Sequence, residues 1–118
     1  MNKNWILLAT LLLWTGTLCA QHSFSTFGAK AVADKKYEAF AYPEAIKLYK
    51  HLAEKGDSSA HVLRRLANSY RLTHQDEEAK EWYNKLLSIE TDEPEDFYHF
   101  AQVLKKLGEY EESDLQMK

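Results

Sequence analysis

One cysteine, two prolines and four glycines are all that 118 residues hold of the types that staple, stop or loosen a chain. A lone Cys19 leaves no disulfide to be formed within the chain. Few breakers mean long stretches in which helical periodicity runs uninterrupted, with Pro43, Gly56, Pro94 and Gly108 punctuating the pattern. There is no apolar run long enough to span a bilayer, since the longest, residues 5–14, is far too short. There is no basic stripe with interleaved aromatics, which removes the usual footprint of nucleic-acid binding. The five histidines (His22, His51, His61, His74 and His99) never fall at metal-ligand spacing on one helix. No phosphate-binding glycine loop and no nucleophile elbow occurs. Catalytic, metal and cofactor-binding residues are therefore assigned to none of the positions, and no small-molecule substrate is implied.

What is present begins with a leader-like N-terminus. Lys3 precedes the apolar run, and Gly16, Thr17, Cys19 and Ala20 form a small-residue exit. This is the layout of a secretory signal peptide over residues 1–20, followed by a mature chain from Gln21. Cys19 has a second reading as the acylated residue of a lipoprotein. However, Gly16 and Leu18 match the required flanking residues poorly, which favours ordinary cleavage. The net charge of −3 is spread in mixed signs, as on a solvated helical surface.

The remaining chain, residues 21–118, is expected to be one small all-α domain. Three- and four-residue apolar steps predict helices near 26–40, 43–55, 59–73, 76–89, 94–107 and from 110 onward. Subtracting residue numbers shows an internal period of 34. Ala33, Ala67 and Ala101 share it, as do Ala45, Ala79 and Ser113, and Tyr49, Tyr83 and Met117. Bulkier columns follow in Val32, Leu66 and Phe100, in Ala29, Leu63 and Phe97, and in Lys36, Tyr70 and Leu104. That period is the one tetratricopeptide repeats have. The stretch "AHVLRRLANSYRLTHQDEEAKEWYNKLLSIET", residues 60–91, resembles a complete repeat of that family. Leu63, Leu66, Ala67 and Tyr70 fit its first helix, and Ala79, Tyr83 and Leu86 its second. Two and a half repeats are expected, near 26–59, 60–93 and 94–118, the last interrupted within its second helix. That last helix, opened by Tyr110, is expected to be frayed and half-exposed.

The resemblance implies an α-solenoid in which the first helix of each pair lines a concave groove. In register, that groove would present Lys30, Asp34 and Tyr37, then Arg64, Asn68 and Arg71, then Tyr98, Gln102 and Lys105. Lys30, Arg64 and Asn68 are candidates to hold a peptide carboxylate or backbone, against the alternative that they are solvated surface. The polar clamp by which some family members hold acidic chaperone tails is excluded, because Asp34 and Glu95 stand where it needs neutral or basic groups. The acidic clusters "QDEEAKE" and "TDEPEDF" open helices, where negative charge suits the exposed N–H groups. Trp82 carries no ligand assignment.

A narrower resemblance lies in "AVADKKYEAFAYPEAIKLYKHLAEKG" with the two repeats after it. It is similar to the exported N-terminal region of OmpA-family envelope proteins, where a helical repeat array precedes a propeller-like segment and an OmpA-like domain. Neither of those later parts is present in this sequence. The resemblance implies a non-enzymatic protein-interaction module, periplasmic and associated with the outer membrane, whose partner is an envelope protein or peptide. Two alternatives stand beside it: a truncated product without a specific partner, and an accessory scaffold of a secretion machinery.

Overall fold

The computed structural model describes residues 27–89 and 91–118. The segment read as a signal peptide, Cys19 included, lies outside the described residues. Helix α1 runs over 27–38, and is followed by α2 (Tyr42–Glu54), α3 (Ala60–Leu72), α4 (Asp76–Ser88), α5 (Pro94–Lys106) and α6 (Tyr110–Gln116). No strand occurs among the described residues. The boundaries of α2 to α5 fall within one residue of those the periodicity predicts, and α6 begins at Tyr110 as expected.

Close approach of paired helices requires small side chains where the backbones meet. Ala33, Ala67 and Ala101 on the first helices and Ala45, Ala79 and Ser113 on the second are all completely buried. Ser113 keeps this column polar at no loss, because its hydroxyl donates to the Ala101 carbonyl at 3.0 Å. Around these contacts pack Leu52, Val62, Leu63, Leu66, Leu86, Phe100, Val103 and Leu104. Each such apolar side chain contributes roughly 1.5–3 kcal/mol by leaving water. Tyr49 and Tyr83 fill the gaps between successive hairpins, and Tyr70 is buried beside them.

Two expected packing positions differ. Phe97 shares a column with buried Leu63 but is only half-buried, and Met117 shares a column with Tyr49 and Tyr83 yet is 53% exposed. Both lie at the C-terminal end of the stack, where no further hairpin covers them among the described residues. Val32 is likewise exposed, unlike Leu66 and Phe100 of its column. The reason is visible on α1, where Lys35 and Lys36 stand in the columns of buried Ser69 and Tyr70. The outer side of α1 thus carries Lys35 and Lys36 together with exposed Phe27 and Val32. α6 is shorter than its equivalents and exposes Tyr110 and Leu115, but Ser113 anchors it to α5.

Each first helix ends in the same way. Phe40, His74 and Gly108, again 34 residues apart, adopt left-handed backbone with φ of 58°, 59° and 81°. After each of them the chain closes a six-residue loop back to the helix, with Ala41 N–H donating to Lys36, Gln75 to Tyr70 and Glu109 to Leu104. A side chain in this conformation meets its own carbonyl, at a cost of roughly 1–2 kcal/mol. Only Gly108 avoids that cost. His74→Gly is therefore expected to raise stability by about 1 kcal/mol, measured as a higher urea midpoint with an unchanged slope.

Candidate functional site

First helices meet between repeats: α3 touches α5 directly, and α1 meets α3 through Asp34 with His61 and Tyr37 with Arg65. α1, α3 and α5 therefore share one face, the inner face, where the sequence places its candidate residues.

The framework of this face is a hydrogen bond that recurs with the repeat. The buried Tyr49 hydroxyl donates to Asp34 Oδ1, and the buried Tyr83 hydroxyl donates to Asn68 Oδ1. Asp34, Asn68 and Gln102 form one column, as do Tyr49, Tyr83 and Met117. Met117 offers no hydroxyl, and Gln102 Nε2 donates instead to the Tyr98 hydroxyl at 2.9 Å. Burial pushes Tyr83 up to about 12 and pushes Tyr49 well above the usual phenol value. Asp34 also meets His61 Nε2 at 2.7 Å. Burial alone would raise the Asp34 carboxyl, but the hydrogen bonds from Tyr49 and His61, with the charges of His61 and Arg65, hold it below its ordinary value.

A second recurring element pins the loops between hairpins. Asp57 and Thr91, one period apart, accept from the backbone N–H two residues on, at 3.2 and 3.4 Å. Lys30 reaches Asp57 at 4.0 Å. Arg64 does the same with better geometry: Nε and Nη2 each donate to Asp96 at 2.7 Å, and Nη2 donates to Thr91 at 3.3 Å. Asp96 is 1% exposed and takes a further bond from the Thr91 hydroxyl at 2.9 Å. Removing one partner of such a pair leaves a buried charge.

The expected groove residues therefore divide. Asp34, Arg64 and Asn68 are engaged within the fold, and Lys30 leans on its own loop. Tyr37 lies against Tyr42 and Tyr49, at ring distances of 5.4 and 6.4 Å. Arg71, half-buried, donates through Nε to the Tyr83 hydroxyl at 3.3 Å. Tyr98 and Lys105 are exposed, and Gln102 is half-buried beside them. Sequence reasoning missed Arg65, whose guanidinium carbon sits 4.1 Å above the Tyr37 ring, together with His61, Asp96 and His99. Subtracting polar residue numbers, as was done for alanines, reveals the Asp34/Asn68 and Asp57/Thr91 columns. Nothing local reveals Arg65 or Asp96. On the outer side, Trp82 is half-buried under Lys85, whose Nζ stands 3.9 Å from the ring.

At the C-terminal end, Phe97, Tyr98, Leu115 and Met117 line an open apolar cleft of about 500 Å3. Among the described residues no group of three or more His, Cys, Asp or Glu side chains is placed to hold a metal ion. Nor is any described helix long and apolar enough to cross a membrane.

No protein-family model and no curated protein matches the chain. Solved structures do. MamA from MSR-1 superposes with a TM-score of 0.71 at 18% identity, over 78% of this chain and 53% of MamA. The Yersinia enterocolitica type III secretion translocator chaperone SycD gives 0.67 at 20% identity, over 80% and 70%. The C-terminal part of a TPR repeat-containing protein from Cytophaga hutchinsonii gives 0.67 at 22% identity, over 73% and 34%. The chain spans about half the length of the MamA structure it matches. The fold is thus an all-α, tetratricopeptide-like helical solenoid.

The lowered Asp34 value sets a pH dependence. Unfolded, this carboxyl titrates near 3.8, and folded it titrates lower. Its contribution is thus complete above the unfolded value and is lost as pH falls through the folded one. Asp34→Asn keeps an acceptor for Tyr49, as Asn68 does for Tyr83. Neutral-pH stability is expected to fall by no more than about 1 kcal/mol, while the loss between about pH 5 and pH 2 becomes shallower, as read by urea unfolding across that range. Arg64→Ala, which strands Asp96, should cost about 2 kcal/mol by the same measurement, after discounting for the part-exposed guanidinium.

Proposed function

We propose that this chain is a non-enzymatic protein-interaction module of an exported, envelope-associated protein, and that its inner face holds a partner segment. The observation that carries this reading is the division of the inner face. Its buried polar groups are spent on the fold, while Tyr37, Arg65, Arg71, Tyr98, Gln102 and Lys105 remain as an accessible aromatic and cationic surface on rigid helices. A surface of large planar groups with little freedom to lose is suited to holding an extended chain. The likeness to other helical-repeat proteins supports the scaffold, and export rests on the leader-like residues 1–20 together with the resemblance to OmpA-family N-terminal regions.

Site-specific photo-crosslinking in cells separates this from an inert helical stack. A photoreactive residue at Gln102, on the inner face, is expected to give a discrete adduct with an envelope protein. The same residue at Asn84, exposed on α4, is expected to give none. Equal labelling at both positions, or none at either, overturns the reading. The intact mass of the protein recovered from the envelope fraction should lack the signal segment; a mass retaining it would overturn the export part.

A further inference from the structure

Among the described residues, two guanidinium groups of α3 have no carboxylate partner. Lys30, Arg64, Lys80 and Lys106 each stand within 4.0 Å of an acid, whereas Arg65 and Arg71 have none at that distance among the described residues. Asp34, whose titration registers the Arg65 charge, already accepts from Tyr49 and His61. Tyr37 carries Arg65 over its ring and registers both charges: burial raises its hydroxyl, and the charges of Arg65 and Arg71 and a bond with Asn68 oppose that. His99 on α5 borders the same space. Burial lowers its imidazole and the Arg71 charge lowers it further, against Glu95 and Asp96. Tyr83, fixed beneath, aims the Arg71 guanidinium through its hydroxyl.

We propose that Arg65, held on the Tyr37 ring, and Arg71, held by the Tyr83 hydroxyl, form a recognition site for an acidic peptide segment presenting two Asp or Glu side chains. This deepens the interaction-module reading and rests on it. Unpaired guanidiniums fork onto carboxylates with two parallel bonds, the strongest polar contact open to them. The two arginines are six positions apart, about 9 Å of helical rise and roughly 120° around the helix axis, and both charges register at Tyr37. Side chains two apart on an extended peptide point to one side and lie about 7 Å apart, a gap that flexible arginine stems close. A single C-terminal carboxylate reaches one fork only. Stacking on the Tyr37 ring fixes the plane of the Arg65 guanidinium and leaves its in-plane N–H groups to fork onto a carboxylate.

The test uses the full chain and three short synthetic peptides. The first is an acetylated and amidated Gly-Glu-Ala-Glu-Gly. The second replaces both Glu by Gln, and the third is that Gln peptide with a free C-terminal carboxylate. NMR titration reads both affinity and the His99 imidazole. The capped Glu peptide is expected to bind and to raise the His99 titration midpoint, because its carboxylate offsets the Arg71 charge. Arg65→Gln and Arg71→Gln should each weaken it by roughly tenfold, the loss of one charge-assisted contact. If Arg71→Gln loosens the fold through Tyr83, Arg65→Gln alone carries the comparison. Equal binding of the Glu and Gln peptides, tighter binding of the free-carboxylate peptide, or unaltered affinity in Arg65→Gln overturns the proposal. A crosslinked partner at Gln102 that survives the Arg65→Gln/Arg71→Gln double variant also overturns it, while leaving the interaction-module reading intact. Absence of any adduct in the parent chain instead removes the module reading.

Discussion

A tyrosine hydroxyl that is buried must be hydrogen-bonded, and much of this structure follows from how that requirement is met. Tyr49 and Tyr83 are completely enclosed. An unsatisfied hydroxyl in either place would cost about 1–3 kcal/mol. Each hairpin therefore supplies an acceptor from its first helix, Asp34 or Asn68, at the same position of the repeat. The bond sets how the two helices are rotated about their axes, while the alanine columns set how near they come. Together they leave few other arrangements for the pair. They also remove Asp34 and Asn68 from the roster of freely offered groups on the inner face, although both sit in the middle of it.

The third hairpin shows what happens when one half of the pair is missing. Met117 occupies the tyrosine column, and Gln102 turns along its own helix to Tyr98. Without the phenol the contact between α5 and α6 rests on small-residue packing and on Ser113, whose hydroxyl holds the Ala101 carbonyl. Phe97, Tyr98, Leu115 and Met117 are correspondingly open around the cleft. Both ends of the array expose apolar side chains: α1 presents Phe27 and Val32 beside Lys35 and Lys36, and α5 with α6 presents Tyr98, Leu115 and Met117.

The fold was largely legible in the sequence because the residues that define it are local and periodic. Alanine at fixed intervals, four-residue apolar steps and Pro43 and Pro94 in first helical turns all act within one hairpin, so a subtraction exposes the columns and local pattern exposes the helix starts. The helix-ending residues were half legible: Gly108 announces a left-handed turn, but Phe40 and His74 do not, since neither residue type requests that conformation. The site was less readable for a different reason. Whether a groove arginine is available depends on what an adjacent repeat places against it. Arg64 is neutralised by Asp96, 32 residues away on another helix, while Arg65 beside it is left to Tyr37 of the preceding hairpin. Adjacent positions in sequence thus receive opposite fates from different neighbours, and no spacing rule within α3 separates them.

This sidedness also explains why net charge is a poor guide to the partner. The chain is acidic overall, but many of its acids gather in the first turns of helices, where Asp76, Glu77 and Glu78 open α4, Glu95 and Asp96 open α5, and Glu111 and Glu112 open α6. There they answer the exposed N–H groups. α3, central on the inner face, has three arginines and no acid at all. Asp96 cancels Arg64 and Asp34 partly offsets Arg65, which leaves Arg71 and the remainder of Arg65 as the cationic part of that face on a molecule that is negative overall. An acidic segment approaching from solution is repelled weakly by the whole, a repulsion that salt screens over about 8–10 Å. It is attracted at short range by Arg65 and Arg71, where screening is least and the guanidiniums are already oriented. A summed charge averages over the two surfaces and misses that opposition. The distribution along individual helices preserves it.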